Sequence, residues 1–169
     1  MKIIYIIPGL GEDCNLARYK KLTEVMQTKG YSVKSINPDW YKPLSEQVFP
    51  IEKESIIFGF SFGAILAYLI VRKYPCKKVI FGSISPIHTF SFKSLVDDNT
   101  EHMDKDLAIE LARDIKNIKI SLKDINTPHI SLAGELEIPV MINNADLLVP
   151  KTKHFLSKAY IESINKLVE

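Results

Sequence analysis

Short, almost wholly apolar runs, each ended by a glycine, proline or serine turn, constrain this chain more than any other feature. Residues 3–7 (Ile-Ile-Tyr-Ile-Ile) are continuously apolar and mostly β-branched, as a strand covered on both faces requires. The turn Pro8-Gly9-Leu10-Gly11 ends that run. Over residues 15–29, Leu16, Tyr19, Leu22, Val25 and Met26 then recur at helical spacing, with Gly30 as the C-terminal cap. The same strand, turn and helix succession repeats. Strands are predicted over residues 31–36, 55–58, 78–82, 129–133 and 146–149, and helices over 62–74, 103–115 and 154–168. Residues 40–54, broken by Pro43 and Pro50, leave room for one short helix. This alternation predicts an α/β fold: a three-layer sandwich with a mostly parallel sheet of about six strands and helices on both faces. Ligands of such sheets bind outside the carboxyl ends of the strands, so the polar residues just after each strand are the candidates for function.

Size and charge narrow the partners. A chain of 169 residues that is 46% hydrophobic buries one core, so residues 1–169 are read as one domain. The formal net charge of +2, from 22 basic and 20 acidic residues, gives neither nucleic acid nor an anionic membrane a broad surface to bind. A small-molecule substrate is expected. The first apolar run stops at Pro8-Gly9, short of a signal peptide's core, and no run approaches the ~20 residues that span a bilayer. A soluble, cytoplasmic protein is expected. Cys14 and Cys76 are isolated, without metal-ligand spacing around them, and read as buried free thiols. No metal or cofactor is expected.

Gly59-Phe60-Ser61-Phe62-Gly63 carries the sharpest chemical signal, because it lies directly after a predicted strand and directly before a predicted helix. A serine on that turn is lifted above the sheet at a helix N-terminus, where free amides favour developing negative charge. Glycines two residues to either side relieve the crowding of the turn. A serine nucleophile needs a base, normally a histidine held by a carboxylate. His154 follows the sixth strand by a short loop and is expected to open the last helix, at the carboxyl edge of the sheet. His129 begins a strand at the opposite edge, and His88 and His102 read as solvated surface residues. The carboxylate is sought after the fifth strand, where Glu137 is preferred and Glu135 is the alternative; Asp146 begins a strand. Two backbone amides must face the oxyanion, one from Phe62 and one, from Leu10, in the loop after the first strand. Phe60, Phe62, Trp40 and Phe90 are candidates to line an acyl site.

Taken together these places resemble the α/β-hydrolase superfamily over nearly the whole chain, in its order of serine, acid and histidine. Pro8-Gly9-Leu10-Gly11 is similar to the oxyanion loop, with proline in place of the usual histidine. Gly59 to Gly63 matches the nucleophile elbow, Ile84-Ser85-Pro86 the strand end after the elbow helix, Gly134-Glu135-Leu136-Glu137 the acid loop, and His154-Phe155-Leu156 the histidine segment. The resemblance implies a Ser61, His154 and Glu137 triad, with Leu10 and Phe62 giving the amides, acting on acyl esters or thioesters. Between the fourth and fifth strands the chain is too short for a full cap, so residues 87–125 are expected to form a small lid segment plus a helix, over a shallow, open pocket. Two other readings compete. One is a non-catalytic binding protein on the same fold; the other is a doubly wound nucleotide-binding domain, suggested by Gly9-Leu10-Gly11 and Asp39 but lacking a third glycine at Cys14.

Overall fold

The computed structural model describes residues 2–84 and 90–168. Six strands, β1 (Lys2–Ile7), β2 (Tyr31–Ser35), β3 (Ile56–Phe60), β4 (Lys78–Gly82), β5 (His129–Gly134) and β6 (Leu147–Val149), form one sheet in the order β2-β1-β3-β4-β5-β6. Every neighbouring pair is parallel. Among the described residues six α-helices surround the sheet: α1 (Ala17–Thr28), α2 (Phe62–Lys73), α3 (Phe92–Asn99), α4 (Lys105–Asn117), α5 (Pro139–Ile142) and α6 (Lys158–Leu167).

The apolar runs are continuous because each strand feeds two cores. Successive side chains alternate between the faces, so Tyr5, Ile7, Ile57, Val79 and Phe81 join one buried cluster with residues of α2 and α4. Ile4, Ile6, Ile56, Phe58 and Ile80 join another with α1 and α6. This is the three-layer α/β arrangement. Both free cysteines are buried, Cys14 in the second cluster and Cys76 in the first. Burial pushes the Cys76 thiol up to about 11. Among the described residues no helix is long and apolar enough to cross a membrane.

Three local expectations need correction. The last helix begins at Lys158, not at His154, because Ser157 caps it by accepting the Tyr160 N–H through its hydroxyl at 3.1 Å. His154 therefore stands on the preceding loop. Second, the stretch after β4 holds two helices where one was predicted. Ser91 caps α3 by accepting the Ser94 N–H, and Leu95 and Asn99 are buried on that helix. Third, Trp40 is tied to the loop after β1, its indole N–H donating to the Glu12 carbonyl at 3.1 Å. The Ser85-Pro86 strand end and His88 lie outside the described residues.

Candidate active site

Ser61 occupies the sharp turn between β3 and α2 with φ 54° and ψ −120°, a left-handed geometry that costs on the order of 1–3 kcal/mol for a non-glycine residue. Neighbouring elements enforce it. The Ser61 N–H donates to the Gly82 carbonyl at the end of β4 (2.7 Å), while the Ala64 N–H donates to the Ser61 carbonyl (2.9 Å). A side chain at Gly59 would overlap the backbone of Gly63 and Ala64. One at Gly63 would lie 2.5 Å from the Ile7 carbonyl oxygen and closer still to that of Pro8. The flanking glycines are thus a packing requirement of three elements meeting at one point. Ser61 does not cap α2 with its hydroxyl, which leaves Oγ for another partner.

That partner is His154. Its Nε2 lies 2.9 Å from Ser61 Oγ, and its Nδ1 lies 2.8 Å from Glu137 Oε2. A carboxylate beside Nδ1 keeps the proton on that nitrogen, so Nε2 is the acceptor facing the serine hydroxyl. The Phe60 ring lies 5.3 Å from the imidazole, centre to centre. Ser61, His154 and Glu137 come from three separated segments, after β3, β6 and β5, and meet at the carboxyl edge of the sheet.

Glu137 is fixed from several directions. Its side chain is 0% exposed. Besides His154, its carboxylate accepts the Gly134 N–H (2.6 Å) and the Ser83 hydroxyl (2.7 Å). The Tyr160 hydroxyl lies 2.9 Å from Ser83 Oγ and donates to the Leu132 carbonyl at 2.8 Å. Burial by itself would raise the Glu137 carboxyl, but the bonds from His154, Ser83 and Gly134 outweigh it and hold the group below its usual range. A depressed carboxylate stabilises the fold above its unfolded value, and that stabilisation disappears as pH falls through the folded one. Below pH 4.5, the ordinary value for the group, stability should therefore fall with acidification more steeply in wild type than in Glu137→Gln. Urea melts across that range measure the two slopes, and equal slopes would refute the assignment.

Ser61 and His154 open onto a cavity of about 410 Å³ walled by Leu10, Phe60, Phe62, Ile65, Phe90 and Leu95, among others, while Glu137 lies buried behind them. Of the four aromatic residues expected to line an acyl site, Trp40 is the exception, because its bond to Glu12 holds it in a neighbouring cavity. Leu10 and Phe62 both line the main cavity, and among the described residues neither backbone N–H has an intramolecular acceptor. α3 supplies one wall through Leu95, Asp98 and Asn99.

Scanned by sequence, the chain matches no family model and no curated protein. Among solved structures it is similar to Est1E from Butyrivibrio proteoclasticus, covering 99% of this chain and 85% of that one, with a TM-score of 0.65 at 14% identity. It is also similar to the monoacylglycerol lipase of Paleococcus ferrophilus (98% and 91% covered, TM-score 0.63, 14% identity). A third is the type II thioesterase BorB from the borrelidin biosynthetic cluster (99% and 91% covered, TM-score 0.61, 15% identity). The chain has the α/β-hydrolase fold.

Within this α/β-hydrolase fold the two glutamates after β5 separate cleanly. Glu137 turns inward to His154, whereas the exposed Glu135 accepts the Lys151 N–H at 2.9 Å. Asp146 accepts from the Ser131 N–H and hydroxyl, and His129 stands at the start of β5 with Nδ1 beside the Thr127 carbonyl. His102, read from the sequence as a surface residue, is exposed and also lines the cavity. The loop after β1 is closed by Glu12, whose carboxylate is paired with Arg18 and accepts from the Tyr19 hydroxyl and, at 3.2 Å, from the Gly9 N–H. The Tyr19 hydroxyl reaches the same N–H at 3.2 Å. A carboxylate sitting on that amide is what a dinucleotide's diphosphate would have to displace, which removes the support for a nucleotide-binding loop. Sequence reasoning missed Ser83, Tyr160 and the Glu12 cluster. Ser83 had a signal, as a polar residue directly after an apolar strand. Tyr160 is indistinguishable in sequence from a core residue of α6.

Proposed function

We propose that this chain is a serine hydrolase that cleaves acyl esters or thioesters, with Ser61 as nucleophile, His154 as general base and Glu137 as the orienting acid. The observation that carries the reading is the unbroken hydrogen-bond chain from Ser61 Oγ through His154 to Glu137, at 2.9 and 2.8 Å, with Ser61 and His154 on the wall of a largely apolar cavity. The esterase, lipase and thioesterase among its structural neighbours support the same reaction class.

The reaction runs in two halves. Ser61 Oγ bonds to the acyl carbon as its proton passes to His154 Nε2, and the carbonyl electrons move onto the oxygen. The Leu10 and Phe62 amides stabilise that oxyanion, each supplying on the order of 3 kcal/mol. Collapse breaks the bond to the leaving oxygen or sulfur, which takes the proton back from His154. Water then attacks the acyl-enzyme by the same route, releasing the acid and restoring the Ser61 hydroxyl. Glu137 stays ionised throughout and stabilises the imidazolium.

Labelling with a fluorophosphonate probe tests the reading directly. Wild type is expected to label and Ser61→Ala not to; well-folded wild type that stays unlabelled would overturn it. The acid is tested separately. Glu137→Gln should lower kcat on a short-chain ester by about 10³–10⁴-fold, since the amide stabilises the wrong imidazole tautomer. Glu135→Gln should stay close to wild type, and the reverse result would move the acid by two positions.

A further inference from the structure

Glu12 holds Gly9 from both ends. Its backbone N–H donates to the Gly9 carbonyl at 3.0 Å, and its carboxylate accepts the Gly9 N–H at 3.2 Å. In a planar trans peptide a carbonyl and the following N–H point in opposite directions. Drawing the Gly9 carbonyl towards Glu12 therefore turns the Leu10 N–H the other way, and among the described residues nothing accepts it. The Glu12 carbonyl is itself tied to the Trp40 indole at 3.1 Å, so the residue that sets this peptide is anchored in turn.

The same hold lies against Ser61. A side chain at Gly9 would meet Glu12 Oε2 at 3.2 Å and Ser61 Cβ at 3.3 Å, so the carboxylate and the serine flank one backbone position, and both line the cavity. A bare carboxylate there opposes the negative charge that an attacked carbonyl oxygen develops. Arg18 and Tyr19 answer that charge. Arg18 pairs with the Glu12 carboxylate, and the fully buried Tyr19 hydroxyl donates to it. Burial and the adjacent carboxylate push the Tyr19 phenol far above its usual range, so it remains a donor. We propose that Glu12 is a positioning residue for the oxyanion: it sets the Gly9-Leu10 peptide so that the Leu10 N–H faces the acyl oxygen at Ser61, while Arg18 and Tyr19 cancel the charge that this hold introduces. The role deepens the ester-hydrolase reading of Ser61 and rests on it.

Steady-state kinetics on a short-chain ester test the role, with circular dichroism to check that each variant is folded. Glu12→Ala frees Gly9 and should lower kcat by about 10²-fold with KM within about threefold of wild type, since a misdirected donor is felt in the transition state. Glu12→Gln keeps an oxygen for Gly9 and Tyr19 and should lose only about threefold. Arg18→Met leaves the carboxylate without its cation and should cost roughly tenfold in kcat. The double variant decides: with a neutral residue at position 12, Arg18→Met should cost less than about twofold more. Should Glu12→Ala fail to fold, the Arg18→Met comparison in the two backgrounds carries the test alone. A role confined to stability lowers the melting temperature and leaves kcat of the folded protein unmoved. Folded Glu12→Ala or Arg18→Met with kcat within about twofold of wild type, or an Arg18→Met loss undiminished beside Glu12→Gln, would overturn the proposal. Wild type that neither cleaves ester nor labels with a fluorophosphonate removes the hydrolase reading and this role with it; active wild type with indifferent variants removes the role alone.

Discussion

Ser61→Ala is expected to lose ester turnover by about 10⁴–10⁶-fold in kcat while keeping its fold. The substitution deletes one atom, Oγ, whose hydrogen-bond partner is His154 Nε2, and leaves the backbone bonds from the Ser61 N–H to Gly82 and from Ala64 to the Ser61 carbonyl untouched. Stability should therefore move by less than about 1 kcal/mol. Ser61→Gly adds a second readout. Relief of the left-handed strain at φ 54° should make it more stable than Ser61→Ala by up to about 1 kcal/mol, with turnover equally lost. Steady-state kinetics on a short-chain ester and thermal melts measure both. A Ser61→Ala protein that retains more than about one per cent of wild-type turnover has its nucleophile elsewhere.

Gly63→Ala should be among the most damaging single methyl additions to the chain. The added carbon would press into the carbonyls of Ile7, the last residue of β1, and of Pro8 just after it, which cannot retreat without disturbing the sheet beside β3. A cost above about 4 kcal/mol is expected, a large part of the 5–15 kcal/mol that holds a typical domain folded. Gly30→Ala is the control. It carries φ +81° but has nothing within 4 Å of the added carbon, so it should lose only the left-handed penalty of about 1–2 kcal/mol. Soluble yield and urea midpoints separate the two. Equal losses at Gly63 and Gly30 would mean that β1, β3 and α2 can make room for the methyl group and that their meeting does not make the elbow demand glycine.

The contrast between those two glycines marks the boundary between local and tertiary information. Which residues form strands was legible because each apolar run must satisfy a core on both faces of the sheet, and the turn that ends it is written in adjacent residues. The same locality made Ser61 legible, since a serine between a buried strand and a helix has little freedom in where it stands. His154 was legible by its edge of the sheet but not by its element. Whether a loop residue opens a helix depends on which neighbour caps it, and Ser157 takes that role.

Which glutamate faces His154, the support behind it and the walls of the cavity were decided only by the assembled structure. Glu135 and Glu137 are chemically identical and two residues apart. The choice between them is made by Lys151, Gly134 and Ser83, whose N–H and hydroxyl donors arrive from β6, β5 and β4. Trp40 looked like a substrate-facing aromatic until the Glu12 carbonyl claimed its indole. Asp98 and Asn99 lay in a stretch where one helix was expected and two form. By itself the sequence determined the layers of the sheet, the place of Ser61 on the turn after β3 and the sheet edge at which the candidate residues lie, because these follow from hydrophobic period and turn composition over a few residues. The direction of each side chain past a strand end, and so which carboxylate meets His154 and the character of the pocket, depended on partners tens of residues away and was set by tertiary packing.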